Sequence, residues 1–187
     1  MTATADGRRG VTHRSALIAG VVGIALAALI ALFAFSPKGE TDDQNRGSPL
    51  EGKLAPALAG TDIEGQPFDL DRYRGQWVLV NYFATWCPPC VAEHPQLVSL
   101  SEDGSAPVQL VSVAFDDTAD NVKQFFSERG GAWPVLVSGT GKAALEYGVV
   151  KLPESYLIDP DGKVVQKLIN GITASEVHDI IAEESGS

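Results

Sequence analysis

The stretch that decides the fold runs from Trp77 to Cys90 and reads WVLVNYFATWCPPC. Residues 77–84 form a nearly continuous apolar run that is rich in β-branched and aromatic side chains. Such a run is typical of a strand that is buried on both faces of a sheet. Pro88 follows the first cysteine, and proline is favoured at the first position of a helix. The sequence therefore predicts a buried strand, a short turn and a helix that begins at Cys87.

The chain has two cysteines, Cys87 and Cys90, three positions apart. Residues at this spacing lie on one face of a helix, so the two thiols can form and open a disulfide with little backbone movement. The free N–H groups and the dipole of a helix N-terminus stabilise a thiolate, which is the reactive form of cysteine. We therefore predict that Cys87 is the attacking thiol and that Cys90, more buried, resolves the mixed disulfide.

The two prolines between the cysteines remove backbone donors from the helix start. Pro88 and Pro89 have no N–H group to offer to a Cys87 thiolate. A less stabilised thiolate favours a reducing or intermediate reduction potential. Small energies set this potential, since about 30 mV corresponds to only about 1.4 kcal/mol.

Other uses of the cysteine pair fit the sequence less well. A structural disulfide across so short a loop removes little chain entropy. A structural zinc site needs about four ligands, and the chain adds only three histidines to its two thiols. We expect His94 to be a solvated helix residue and His178 to lie on the outer face of the last helix. No metal or cofactor is expected, and the net charge of -10 argues against nucleic-acid binding.

Predicted strands and helices alternate along the remainder of the domain, which indicates an α/β fold with a mixed central sheet flanked by helices. Short strands or turns are expected between Lys53 and Asp71. The later predicted elements are a strand over Val108–Phe115, a helix that begins at Asp117 or Thr118 and ends near Arg129, a strand over Pro134–Val137, a helix over Gly141–Tyr147, strands over Ser155–Ile158 and Lys163–Ile169 joined at Asp161-Gly162, and a last helix capped by Thr173.

The N-terminal region predicts a membrane anchor. Residues 16–35 contain no charged or strongly polar side chain, and twenty helical residues span about 30 Å of hydrocarbon. Arginines precede the run and acidic residues follow it, which puts residues 1–15 in the cytoplasm and the domain outside. Residues 36–52 are polar and are expected to be a linker to a domain over residues 53–187. A cleaved signal peptide is the alternative, and it predicts the same extracytoplasmic compartment.

These features together resemble one group of the thioredoxin superfamily, the TlpA/ResA/CcmG (DsbE) membrane-anchored thiol–disulfide oxidoreductases. The resemblance extends from about Lys53 to Glu184. The residues that carry it are Asn81-Tyr82-Phe83-Ala84-Thr85-Trp86, Cys87-Pro88-Pro89-Cys90, Glu93, Tyr147-Gly148-Val149 and Leu152-Pro153-Glu154-Ser155-Tyr156.

The resemblance implies a thioredoxin-like fold and a set of site residues. Pro153 is implied to be a cis proline that faces the disulfide. Glu93 and Glu154 are implied to be catalytic acids near the thiols, since this chain has Asn81 where ordinary thioredoxins carry a buried aspartate. The substrate-binding surface is implied to include Trp86, Pro88, Leu152 and Pro153.

The same resemblance implies a function. Proteins of this group reduce the haem-binding cysteine pair of apocytochrome c, and they receive electrons from a membrane thiol transporter of the CcdA/DsbD kind. Some relatives oxidise exported proteins or keep copper-site cysteines reduced. We therefore expect a protein disulfide reductase, with an oxidase and a copper-site reductant or copper carrier as open alternatives.

Overall fold

The computed structural model describes residues 18, 20–24, 48–104, 108–137, 139–169 and 171–186. The chain divides into two units, residues 1–46 and 47–187. In the first unit, the described residues 18 and 20–24 are helical and exposed. No helix within the described residues is long and apolar enough to cross a bilayer. The predicted tail, anchor and linker lie almost entirely outside the described residues.

The second unit contains the predicted mixture of strands and helices. Its elements are β1 (Ala59–Thr61), β2 (Pro67–Asp69), a 3₁₀ turn (Leu70–Tyr73), β3 (Trp77–Phe83), α1 (Pro88–Glu102), β4 (Val108–Ala114), α2 (Ala119–Arg129), β5 (Val135–Leu136), α3 (Thr140–Tyr147), β6 (Glu154–Ile158), β7 (Val164–Ile169) and α4 (Ala174–Ser185). The order and type of the elements from β3 onward are as predicted, and the boundaries differ by one or two residues.

The central sheet has five strands in the order β5-β4-β3-β6-β7. Strand β3 pairs parallel with β4 and antiparallel with β6, and β7 pairs antiparallel with β6. The sheet is therefore mixed, as expected. Strands β1 and β2 form a separate antiparallel pair.

Alternate residues of β3 point to opposite faces of the sheet and pack in different clusters. On one face, Leu79 packs with residues of α1 and α4, and Phe83 packs with α2. On the other face, Val80 and Tyr82 pack with α3. Helices therefore cover both faces of the sheet. The last residue of β3, Phe83, packs on the α1 face in the cluster that also contains the two cysteines.

Several predicted local signals are confirmed. Thr118 and Thr173 are the N-caps of α2 and α4, and each side chain accepts a hydrogen bond from a backbone N–H three residues later. Gly148 ends α3 with a φ of 68°, in the left-handed region that glycine adopts without steric cost. Gly162 has a φ of 80° at the predicted turn between β6 and β7.

Candidate active site

Cys87 and Cys90 form a disulfide at the start of α1, with their Cα atoms 5.3 Å apart. Cys87 is the N-cap residue and Pro88 begins the helix, as predicted. The exposed fractions of the two cysteines are nearly equal, 4% for Cys87 and 3% for Cys90. The N-cap position, rather than exposure, therefore distinguishes Cys87 as the sulfur that receives the field of the helix terminus.

One backbone donor contacts the Cys87 sulfur. The N–H of Cys90 points to Cys87 Sγ at an N···S distance of 3.4 Å. An N-cap side chain usually accepts from the second or third helical residue. Pro89 occupies the second position and has no N–H, so the third residue supplies this contact.

The residues before Cys87 are fixed to the loop that follows β4. Asp117 accepts two hydrogen bonds of 2.7 Å at one oxygen, from the N–H and the hydroxyl of Thr85. Trp86 donates from Nε1 to the Asp116 carbonyl at 3.0 Å, and 58% of Trp86 is exposed. The indole is therefore held beside Cys87 with much of its surface open to solvent.

Asp117 is a positioning residue that the sequence predicts only as a possible helix cap. Burial alone raises its pKa, but hydrogen bonds from Thr85, Thr118 and Asn121 lower the pKa below its usual value overall. The Asp117 carboxylate thus joins the turn before Cys87 to the start of α2. The position of Asp117 could have predicted its contact with Thr85. Asp117 follows β4 as Thr85 follows β3, and adjacent parallel strands end at the same edge of a sheet.

The segment before β6 approaches the disulfide. The Leu152–Pro153 peptide bond is cis, which confirms the bond that the resemblance implied. The Leu152 side chain packs against the cluster that contains both cysteines. Leu152 therefore brings this loop against the cluster that contains the disulfide, and the roles of Leu152 and Pro153 in substrate binding remain predictions.

Glu93 is buried on the α1 face, with 5% of its surface exposed. Its Oε1 accepts a hydrogen bond from Asn81 Nδ2 at 2.9 Å, and its Oε2 accepts one from the Ile172 N–H at 3.0 Å. Asn81 Nδ2 also donates to Ser155 Oγ at 3.0 Å. Burial raises the pKa of Glu93 to about 7, and the two hydrogen bonds to the carboxylate partly oppose that rise. Glu93, one helical turn after Cys90, can therefore gain or lose a proton near neutral pH.

Glu154 lies on the opposite face of the sheet. It is paired in register with Tyr82, whereas Ser155 is paired with Asn81 on the Glu93 side. The Glu154 carboxylate is 1% exposed and forms an ion pair of 2.8 Å with Lys167. The structure therefore places the two predicted acids on different faces, and only Glu93 lies on the α1 face.

The expectation that His94 is solvated is wrong. Only 3% of His94 is exposed, and its ring packs against the rings of Phe125, Phe126 and Trp133 at centroid distances of 4.7, 5.1 and 5.6 Å. His94 Nε2 donates to the Gly130 carbonyl at 2.9 Å. Burial lowers the pKa of His94, which favours the neutral ring.

His178 is also less exposed than expected. Its side chain is 20% exposed, and Nδ1 lies 3.5 Å from an oxygen of Asp103. Among the described residues, no group of three or more His, Cys, Asp or Glu side chains is arranged to hold a metal ion.

The comparisons with known proteins agree with this geometry. The model of the Redoxin family matches residues 50–181. Thiol-disulfide oxidoreductase ResA of Bacillus thuringiensis subsp. konkukian is 34% identical over 134 residues, which cover 70% of this chain and 76% of the relative. Thiol:disulfide interchange protein HelX of Rhodobacter capsulatus is 33% identical over 137 residues, which cover 72% of this chain and 76% of the relative.

A solved structure extends the agreement to the fold. The thiol:disulfide interchange protein of Chlorobium tepidum, a thioredoxin family protein, superimposes with a TM-score of 0.64 at 26% identity, covering 70% of this chain and 94% of that one. Fold and site thus define a thioredoxin-fold protein with a redox-active cysteine pair. The chain belongs to the Redoxin family and is a thiol–disulfide oxidoreductase related to ResA, HelX, CycY and DsbE.

Proposed function

We propose that this oxidoreductase reduces disulfides of exported proteins, with the cysteine pair of apocytochrome c as a substrate. The observation that carries the proposal is the cysteine pair at the start of α1, where Pro88 and Pro89 leave one backbone N–H for the Cys87 sulfur. A thiolate with few donors gives up its electrons more readily, which favours reduction of the substrate.

The proposed reaction uses two exchange steps. The Cys87 thiolate attacks one sulfur of the substrate disulfide, so that a mixed disulfide forms and the other substrate sulfur leaves as a thiolate. The Cys90 thiolate then attacks Cys87, which releases the substrate as a dithiol and leaves the Cys87–Cys90 disulfide. Glu93 accepts the proton of the Cys90 thiol as Cys90 becomes the nucleophile. A membrane thiol transporter of the CcdA/DsbD kind returns the two electrons.

The proposed location is the outer face of the cell membrane, with a single membrane-spanning segment and a cytoplasmic N-terminus. The apolar run over residues 16–35 and the arginines before it support this orientation. Protease added to intact protoplasts is expected to remove the domain. Protection of the domain until the cells are lysed would place it in the cytoplasm and contradict the proposal.

The reduction potential separates a reductase from a disulfide-forming oxidase. We expect a value closer to that of thioredoxin, about -270 mV, than to that of a strong oxidant at about -120 mV. Equilibration of the protein with glutathione or dithiothreitol redox buffers measures it. A value near the oxidant end would reverse the proposed direction of electron flow.

Pro89→Ala tests the cause of that potential. The substitution adds an N–H at the second helical position, where it can donate to Cys87 Sγ. Stabilising the thiolate stabilises the reduced form, so the potential is expected to rise by about 30 mV. Pro95→Ala, which adds an N–H farther along α1, is the matched control and is expected to leave the potential unchanged. Equal shifts in both variants would refute the donor argument.

A further inference from the structure

Glu154 and Lys167 form a mostly buried ion pair on the sheet face opposite to α1. The Oε2–Nζ distance is 2.8 Å, and the two side chains are 1% and 16% exposed. Lys167 Nζ also lies 5.4 Å from the centroid of the Tyr156 ring. Burying two charges costs desolvation energy, and such pairs are often no more stable than an apolar substitute. The role of this pair is therefore inferred from its contacts with the backbone and not from a contribution to stability.

Both charged groups bind the loop that precedes β6. The carboxylate of Glu154 accepts a hydrogen bond from the Val150 N–H at 3.3 Å. Lys167 Nζ donates to the Gly148 carbonyl at 3.1 Å. One ion pair therefore holds a donor and an acceptor of residues 148–153, which we call the cis-proline loop.

The cis-proline loop connects this face of the sheet to the disulfide. Leu152 packs both against the cluster that contains the buried tyrosines and against the cluster that contains Cys87 and Cys90. The loop also carries the cis Leu152–Pro153 bond, and Val150 is 83% exposed. A shift at Gly148 or Val150 would therefore change the surface beside the disulfide.

We propose that Lys167 is a positioning residue for disulfide exchange, which acts through Glu154 to hold the cis-proline loop where it receives a polypeptide substrate. This inference rests on the proposed function. In this inference, Glu154 holds the cis-proline loop in position and does not transfer protons. A polypeptide disulfide must be oriented by the loop, whereas a small disulfide needs only access to the Cys87 sulfur.

The test compares Lys167→Met with the wild-type protein on two substrates. We expect kcat/KM for the disulfides of insulin to fall by roughly ten- to a hundredfold, mainly through KM, because small displacements of positioning groups have effects of this size. The rate with the small disulfide 5,5′-dithiobis(2-nitrobenzoate) is expected to change by less than about twofold. Equal losses on both substrates would overturn the inference.

Lys142→Met is the matched control. Lys142 also forms an ion pair, with Glu146 at 3.1 Å, but its side chain is 84% exposed and the pair lies on the surface of α3. Removing an exposed pair of this kind has little effect on stability. We expect the ratio of the two rates in this variant to equal that of the wild-type protein.

A second variant covers the case in which Lys167→Met fails to fold with an unpaired buried carboxylate. Glu154→Leu combined with Lys167→Met replaces the pair with apolar side chains, which buried positions tolerate. This protein lacks both contacts with the loop, so it is expected to show the same selective loss on insulin. A double variant with the wild-type ratio would overturn the inference.

Amide hydrogen exchange separates failure of this inference from failure of the proposed function. The Val150 N–H is expected to exchange faster in both Lys167 variants than in the Lys142→Met control, since its acceptor is displaced or removed. A wild-type protein that reduces neither insulin nor an oxidised Cys-x-x-Cys-His peptide would refute the proposed function, and unchanged Val150 exchange would refute the role of the ion pair.

Discussion

Replacement of Cys87 by serine is expected to abolish disulfide exchange, with a loss of roughly a thousandfold or more in the rate of insulin reduction. A serine hydroxyl stays protonated at neutral pH and cannot form a mixed disulfide. The remaining Cys90 lies inside the first turn of α1, away from the N-cap position. Turbidity of reduced insulin, followed in the presence of dithiothreitol, measures the loss.

Cys90→Ser is the matched variant, because it removes the same disulfide from the other side. It keeps the Cys87 nucleophile and lacks the resolving thiol, so covalent mixed disulfides with the substrate are expected to accumulate. Both variants should fold, since so short a disulfide loop contributes little chain entropy. Adducts that form in Cys87→Ser and not in Cys90→Ser would exchange the assigned roles of the two cysteines.

Replacement of Glu93 by glutamine is expected to remove a pH dependence from the stability of the oxidised protein. The pKa of Glu93 is raised from 4.5 to about 7 by burial. Between these values the folded protein holds a proton that the unfolded chain has released, so the free energy of unfolding falls as pH rises. The shift corresponds to about 3 kcal/mol, present below about pH 4.5 and lost by about pH 7. Urea unfolding at several pH values measures it.

The contacts of Glu93 allow glutamine in its place. The Asn81 amide can turn over so that its oxygen accepts from the new amide, and Ser155 can then donate to Asn81. Glu102→Gln, an exposed substitution in the same helix, is the control. Its free energy of unfolding should change with pH as steeply as that of the wild-type protein. If the free energy of unfolding of Glu93→Gln also changed with pH as steeply as in the wild-type protein, the pH dependence would come from another group.

The sequence was sufficient to predict the elements because local signals and burial patterns agree. The apolar run over residues 77–84 is a central strand, and Cys87 with Pro88 begins the helix that follows it. Threonine caps and Gly148 mark helix ends through contacts within a few residues. Signals of this kind depend on neighbours in the chain, which the sequence displays directly.

Contacts between distant segments were not predictable in the same way. Asp117 reaches Thr85 across 32 positions, and the contact follows only from the parallel pairing of β3 with β4, which brings the ends of the two strands to one edge of the sheet. His94 is polar and follows Glu93 on a helix, but the aromatic residues that bury it come from α2 and the segment before β5. Tertiary packing overrides the average exposure of a residue type.

The different positions of Glu93 and Glu154 follow from strand register. Successive residues of a strand point to opposite faces, so Glu154 and Ser155 must diverge. Which of them meets the α1 face depends on the pairing of β6 with β3, and the register places Ser155 opposite Asn81. The resemblance implied a catalytic role for Glu154, whereas the register decides which partners its carboxylate has.

Electron transfer from this protein to a haem-binding cysteine pair is tested by a single-turnover reaction between the fully reduced protein and an oxidised peptide that contains Cys-x-x-Cys-His, followed by intact mass spectrometry. We expect the protein to lose two hydrogens and form the Cys87–Cys90 disulfide while the peptide gains two hydrogens in equal amount. A peptide that stays oxidised beside a protein that keeps both thiols would contradict the proposed reductase function.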